Sequence, residues 1–502
     1  MDRNKKLTIN MLSSFILQIM IFISGMILPQ LIITHYGSKV NGLIASIQQF
    51  LGFITLGEMG IGAVIQFNLY KPLANRNWME VSKILTAAKG FFNNLLKVLM
   101  VYILFLAVML SLKMHADFDF LYTFTLVLSI SISYIMQYYF GMTFRQLIDA
   151  DQLSFVRVIP QIIQIFINLV ACTVLITNNA SIQVVKMVTS ILYSLQPVVI
   201  YVYCKKHYKQ IELNVNLSSN PIQQKWNGIA QHIAATVLKD TDVVVLTLLG
   251  TLESVSVYAI YNLIISGIEV IIESTVNNFM SFFGELIARE KQEELRSQFS
   301  VFESLYRMIL IIIYFCIGRL IVPFITVYTK EVTDTNYIVP TFALLLTTAH
   351  WLYCARLPYH IIIKAAGHYK QTQNSAILEA VINIVVSVAM VHAYGIIGVA
   401  IGTMLAMLYR NLYYLFYLKK NILVRPVTKS IKIYIQDILV VVFGLLGTSK
   451  LRMLRDTYFG WALLAILVFV ITTVIAIIVR CVFDKDNLTK SLKLLKKNVR
   501  VI

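Results

Sequence analysis

The sequence predicts an all-α polytopic membrane protein of about fourteen transmembrane helices: two six-helix lobes and two additional C-terminal helices. Three observations predict it. The 502 residues are 58% hydrophobic and 14% charged, with mean hydropathy +0.74, whereas a soluble domain carries about 25% charged residues. Apolar runs of bilayer length follow one another along the whole chain, separated by short loops. A set of residues also recurs at one fixed offset. Val40, Gly52 and Glu58 return, equally spaced, as Val255, Gly267 and Glu273. Ile148, Ala150, Ile162, Asn168 and Val170 return as Ile363, Ala365, Ile377, Asn383 and Val385 at the same offset. A constant offset across four spans reads as an internal duplication.

A span needs about 20 apolar residues, and the runs satisfy this in order. The first, 8–34, follows MDRNKK without a small-residue cleavage site, so it reads as a retained helix and not a removed signal. The second, 41–67, follows the polar turn YGSKVNG and carries Glu58 inside its apolar stretch. The third and fourth are 90–112 and 119–142, with Arg145 just past the end of the fourth. The fifth and sixth, 155–177 and 182–204, precede the longest loop, 205–228, which is polar, contains Pro221 and reads as the inter-lobe linker. The seventh, 229–250, carries Lys239, Asp240 and Asp242 near its middle, and the eighth, 255–283, carries Glu269 and Glu273. The ninth is 303–327, the tenth 337–363 with Arg356, the eleventh 373–393 with Glu379, and the twelfth 395–418 with Arg410. The thirteenth, 432–449, is the shortest; it and the fourteenth, 459–482, stand outside the repeat. The expected division is therefore an N-terminal lobe 1–204, a linker 205–228, a C-terminal lobe 229–420, the added pair 421–482 and a basic tail 483–502.

The net charge of +18 does not point to nucleic acid. Most of the 43 Lys and Arg residues fall in alternate loops, as the positive-inside rule requires, and this places both termini in the cytoplasm. The loop with Lys450, Arg452 and Arg455 is the local exception. Six spans per repeat is an even number, so both lobes share one orientation and are expected to be related by a pseudo-twofold axis along the membrane normal. Leu492, Leu494 and Leu495 are spaced helically in the basic tail, which reads either as a surface helix on anionic lipid or as a topological anchor. The five cysteines lie in or beside apolar runs without metal-type spacing and read as free thiols. There is no GxxxxGK[ST] motif and no loop large enough for a soluble catalytic domain. The chain therefore reads as neither an enzyme nor an ATPase, with no cofactor or metal.

Three stretches carry a family resemblance: YGSKVNGLIASI with GEMGIGAVIQF, VVVLTLLGTLESVSVYAIYNLI preceded by Asp242, and YGIIGVAIGTMLAMLYRNLYYLFYLKK. Together with span count and spacing, the chain resembles the oligosaccharide flippases of the multidrug/oligosaccharidyl-lipid/polysaccharide exporter superfamily. The resemblance implies a two-lobed transporter of the bacterial cytoplasmic membrane that moves an undecaprenyl-pyrophosphate-linked oligosaccharide to the outer leaflet by rocking its lobes. It also implies polysaccharide polymerase and glycosyltransferases as partners. Fourteen spans favour the polysaccharide branch over the drug exporters. Two other readings stand beside it: an H+- or Na+-coupled exporter of small amphiphiles, and a membrane polymerase or ligase, against which the short outer loops count.

Ionisable groups inside spans cost about 2.5–3.5 kcal/mol each on insertion scales, so each should pair, face a cavity or lie near the interface. Lys239 and Asp242 are i,i+3 and read either as an ion pair or as a substrate contact. Arg356 and Glu379 lie at equal depth on neighbouring spans and read as a cross-helix pair, with a phosphate-binding Arg and a coupling-ion role for Glu379 as the alternatives. Glu269 and Glu273 share a face at i,i+4 and are candidates for an H+ or Na+ coupling site. Glu58, the repeat mate of Glu273, shares that role or an architectural one. Arg319 and Lys186 lie toward the outer ends of their spans, where snorkelling and a release site are both open. Arg145 is a candidate contact for a pyrophosphate head group or a topological anchor, and Arg410 is similar. His350, Trp351 and Tyr353 suit sugar stacking or packing. The charged residues of this set within the spans are six acids (Glu58, Asp240, Asp242, Glu269, Glu273 and Glu379) and five bases (Lys186, Lys239, Arg319, Arg356 and Arg410), so they predict no net cationic cleft.

Overall fold

The computed structural model describes residues 3–216 and 229–489. The basic tail from 490 onward and the second half of the linker lie outside the described residues. Among the described residues the secondary structure is entirely helical. The chain divides into two compact units, Met1–Thr236 and Val237–Ile502.

The first unit contains α1 (Arg3–Tyr36), α2 (Ser38–Gly52), α3 (Met59–Ala74), α4 (Trp78–Lys113), α5 (Phe120–Met136), α6 (Met142–Ala150), α7 (Phe155–Thr177) and α8 (Ile182–His207). A 3₁₀ turn, Phe53–Gly57, joins α2 to α3, and a π turn, Gln137–Gly141, joins α5 to α6. The second span is therefore one broken helix, as is the fourth. Helix α9 (Ile229–Leu249) runs across the division at Val237, and the second unit continues with α10 (Leu252–Asn277), α11 (Met280–Ala288), α12 (Gln292–Tyr328), α13 (Pro340–Ala355), α14 (Leu357–Ala365), α15 (Tyr369–Tyr394) and α16 (Ile396–Asn421). Helices α17 (Thr428–Thr448) and α18 (Tyr458–Phe483) complete it. Every one of the fourteen expected spans coincides with a helix or a broken helix. Among the described residues, twelve segments are long and apolar enough to cross a membrane. The two that fall short are the charged α9 and the tenth span, broken at Arg356.

The repeat is written into the element boundaries. Helices α6 and α14 are displaced by the repeat offset at both ends, and α4 and α12 agree with it to within one residue. The packing partners recur as well: α5 on α8 and α13 on α16, α4 on α5 and α12 on α13, α3 on α6 and α11 on α14. Local chemistry explains the ends. Asn77 caps α4 through the Glu80 N–H at 3.2 Å, Thr251 caps α10 through the Ser254 N–H at 3.2 Å, and Thr457 caps α18 through the Gly460 N–H at 3.2 Å. The tight reversals use Gly37 (φ 86°) and Gly395 (φ 54°), left-handed positions that L side chains rarely adopt.

Helices α17 and α18 pack on α12. Helix α18 buries Leu464, Val468, Thr472 and Ala476 at four-residue spacing, while Leu467, Val470, Val474 and Ile478 remain exposed. A stripe this narrow with an apolar outer face suits lipid on one side and protein on the other. At Gly444 a Cβ would sit 2.7 Å from the Phe315 ring, so glycine is what lets α17 approach α12.

Candidate functional site

A cavity of about 420 Å³ opens within the first unit. Its walls follow helical periodicity. Helix α7 contributes Arg157, Gln161 and Gln164, which share one face at i, i+4 and i+7. Helix α8 contributes Lys186, Thr189, Ser190, Tyr193, Gln196 and Ile200, a face about 21 Å long at 1.5 Å per residue. The fourth span adds Ser133, Tyr134, Gln137 and Arg145, and α2 adds Gln48. The π turn and Gly141 shape this wall, for a Cβ at Gly141 would come within 2.9 Å of Pro197 on α8. Among the described residues the lining holds three cations, Arg145, Arg157 and Lys186, and no carboxylate.

The two arginines share one counter-ion behind the wall. Asp149 lies 3.9 Å from Arg145 Nε and 3.7 Å from Arg157 Nε, and it also accepts from Ser154 Oγ at 2.9 Å. Lys186 has no acidic partner among the described residues. Gln196 Nε2 donates to Gln161 Oε1 at 3.3 Å and to the Arg157 carbonyl at 3.2 Å. Two buried polar atoms at the cavity, Gln164 Oε1 and Arg157 Nε, have no hydrogen-bond partner among the described residues. Such groups are costly unless something polar meets them. Just past the end of α8, Tyr208 Oη donates to Asp151 at 2.5 Å; burial first, then that bond, holds the phenol far above its ordinary range.

The second unit treats its charges differently. Arg356 pairs with Glu379, as equal depth predicted, and Arg410 approaches the same carboxylate at 3.5 Å. Asp242 accepts from Tyr258 at 2.9 Å, Asn383 at 3.2 Å and Thr403 at 2.6 Å. The Lys239 side chain lies outside the described residues, so its pairing with Asp242 is not described. Glu269 and Glu273 point to separate partners on α13: Glu269 to His350 Nδ1 at 2.6 Å, and Glu273 to Tyr353 Oη at 3.4 Å. Arg319 donates to the carbonyls of Thr448 at 3.3 Å and Leu451 at 2.8 Å, closing the C-terminal end of α17. Trp351 faces the Arg307 guanidinium, whose carbon lies 5.0 Å from the ring centroid, and Tyr353 faces that of Arg356 at 4.6 Å. All three candidate sugar-stacking residues thus have protein partners. The five cysteines are free thiols, as read from their spacing.

Glu58 accepts a hydrogen bond from Tyr138. Tyr138 and Tyr353 are themselves repeat mates, as are Glu58 and Glu273. The carboxylate–phenol pair is therefore a repeated feature that bridges the second to the fourth span and the eighth to the tenth.

The tally of span charges gave no hint of this sorting, since of the three cavity cations it held only Lys186. The acids are taken up by phenols, amides, hydroxyls, a histidine and arginines, while three cations line the first unit's cavity. Sequence reasoning passed over Arg157, Tyr134, Tyr138, Tyr193 and the five glutamines. The signal was present: Gln48, Gln137, Gln161, Gln164 and Gln196 all sit inside apolar spans, and none of their repeat mates is a glutamine.

Solved structures share this architecture. Lipid II flippase MurJ, in an inward closed conformation, matches with a TM-score of 0.70 at 16% identity, over 95% of this chain and 99% of that one. An inward-facing multidrug resistance MATE family transporter of the MOP superfamily matches with a TM-score of 0.61 at 14% identity, over 83% and 99%. The chain has the fold of the MOP exporters. No protein-family model matches it, and none of the curated proteins matches it in sequence. In this MOP fold the cavity belongs to one unit alone.

Proposed function

We propose that this protein is a flippase that carries an undecaprenyl-pyrophosphate-linked oligosaccharide across the bacterial cytoplasmic membrane by alternating access, for surface polysaccharide synthesis. The observation that carries the proposal is the cationic, hydroxyl- and amide-rich cavity without a lining carboxylate among the described residues, on a MOP fold. A pyrophosphate is anionic and a glycan is dense in hydroxyls, and the lining offers guanidinium donors for the first and amides for the second. The same lining disfavours cationic amphiphiles, the cargo expected of a multidrug exporter. Arg145 and Arg157 are the proposed pyrophosphate contacts. Arg356, Arg319 and Asp242, with their protein partners, serve as framework in this reading. Both termini face the cytoplasm, where polymerase and glycosyltransferase partners are reached at the membrane.

The test is leaflet translocation in proteoliposomes with a fluorescent undecaprenyl-pyrophosphate oligosaccharide. Protein-dependent loss of the inner-leaflet pool is expected. Arg145→Gln should slow it roughly tenfold, the worth of one charge-assisted contact of about 1.5 kcal/mol. Efflux of a cationic dye without movement of the lipid-linked sugar would transfer the assignment to the small-molecule exporter.

Coupling, in the same proposal, is to H+ or Na+ through Glu269 and Glu273. Glu269 bonded to His350 is a buried acid–base pair suited to a proton, and Glu273 is the second carboxylate one turn away. Replacing both by Gln should abolish the response to an imposed gradient while leaving gradient-independent exchange. Undiminished gradient dependence in that variant would remove these residues from the coupling.

A further inference from the structure

We propose that the cavity of the first unit selects glycans carrying an anionic substituent, such as a hexuronic acid carboxylate, and that Lys186 is the residue that reads it. The inference rests on the flippase reading for its cargo and on the cavity's own asymmetry for its content. One end holds Arg145 and Arg157, which share Asp149. Lys186 stands about three turns of α8 away from Gln196, the residue that joins Arg157, and it has no acidic partner among the described residues. Between the two ends the wall is neutral and polar: Gln161, Gln164, Thr189 and Tyr193.

A half-buried ammonium inside a helical bundle is costly unless it meets an anion or water. The pyrophosphate is one anion, and the arginine end matches it by planar, forked donors. A second, separated cation calls for a second, separated negative charge on the same cargo. The intervening amides and hydroxyls match sugar hydroxyls, and Gln164 Oε1 is a buried acceptor still lacking a donor. The cargo that satisfies all three zones is an acidic oligosaccharide joined to a pyrophosphate. The repeat supports the assignment by contrast, because the repeat mate of Lys186 is Ile401 and that of Tyr193 is Leu408.

The experiment separates this inference from the flippase reading. Purified full-length protein in detergent is titrated with two soluble disaccharides, one neutral and one with a hexuronic acid, neither carrying pyrophosphate or lipid. Wild type should bind the acidic disaccharide about tenfold more tightly, the equivalent of about 1.4 kcal/mol. Lys186→Gln should bring the two affinities together by weakening only the acidic one, and Lys186→Arg should keep the preference and show that the bundle is intact. Equal affinities in wild type, or a preference that survives in Lys186→Gln, would overturn the role of Lys186. Translocation of the matching lipid-linked pair is measured in parallel. Absence of flipping with intact acid selectivity would refute the flippase reading alone, and flipping that loses both cargoes equally in Lys186→Gln would move Lys186 to the pyrophosphate.

Discussion

The two units share one helical plan and put opposite things inside it. At positions equivalent under the repeat, Gln48 stands against Leu263, Gln137 against Leu352, Gln161 against Ala376, Tyr134 against Ala349, and Lys186 against Ile401. In the other direction, Arg307 of the second unit stands where the first has Phe92, Arg356 where it has Gly141, and Arg410 where it has Leu195. The first unit leaves its polar groups facing a cavity. The second pairs them off. Arg307 bonds Asp437, Arg480 bonds the other oxygen of Asp437 at 2.8 Å, and Arg425 joins Glu303. A duplicated scaffold can therefore divide labour, one copy keeping polar side chains available to a ligand and the other pairing them off, in part to fasten the added helices α17 and α18.

The largest effect should come from breaking that fastening. Asp437 sits between Arg307 and Arg480, all three essentially inaccessible to solvent. Asp437→Ala leaves two buried cations uncompensated, and removing one partner of such a cluster costs about 3–5 kcal/mol. The corresponding loss for a cavity residue, Gln161→Ala, should stay below about 1 kcal/mol, because its side chain lines the cavity and the bond it gives up, from Gln196, is long at 3.3 Å. Thermal unfolding of both variants in detergent makes the comparison, and equal losses would end the distinction between a fastened unit and an open one.

A reciprocal exchange sharpens it. Gln164 and Glu379 occupy the same repeat position on α7 and α15. Gln164→Glu places a carboxylate in the cationic cavity and should reduce translocation of an anionic lipid-linked cargo at least about tenfold with little change in unfolding temperature. Glu379→Gln takes the charge from between Arg356 and Arg410 and should lower stability by about 2 kcal/mol, the scale of a lost charged hydrogen bond. Transport per folded molecule should be little affected. If Gln164→Glu unfolds the protein and Glu379→Gln stops transport, the assignment of roles to the two units is reversed.

How much of this was legible beforehand follows from which interactions are local in sequence. Span limits, the repeat and the Arg356–Glu379 pair are readable, since hydropathy is a property of a window and equal depth can be counted from a loop. The helix breaks are less so. The second span breaks at Phe53–Gly57, and only Glu58 and the glycines around it hint at the break. In the tenth, Pro358 marks a break two residues away at Arg356. The cavity was not legible, because Arg145, Arg157 and Lys186 lie on three different helices and only the fold brings them to one wall, away from the acids it hides elsewhere. Arg319 is a second non-local case: depth leaves snorkelling and a release site both open, and the carbonyls it meets come from α17 and the loop that follows it, far along the chain.

The smallest expected effect tests what the two units have in common. Tyr138 bonds Glu58 and Tyr353 bonds Glu273, in each case joining the two broken helices of a unit. Both tyrosines are buried, at 2% and 8% exposure. Removing one hydroxyl by Tyr138→Phe should cost about 1 kcal/mol, the net worth of an intramolecular hydrogen bond with the ring's packing retained. Tyr353→Phe should cost less, since its bond is long at 3.4 Å and its ring keeps the Arg356 guanidinium. If the pairs serve only as fastenings, each loss is confined to unfolding temperature. If they hold the helix breaks in register during transport, both variants change the translocation rate while their stability loss differs. Measuring rate and unfolding temperature on the same two preparations therefore decides whether the repeated pair is inherited architecture or part of the proposed transport mechanism.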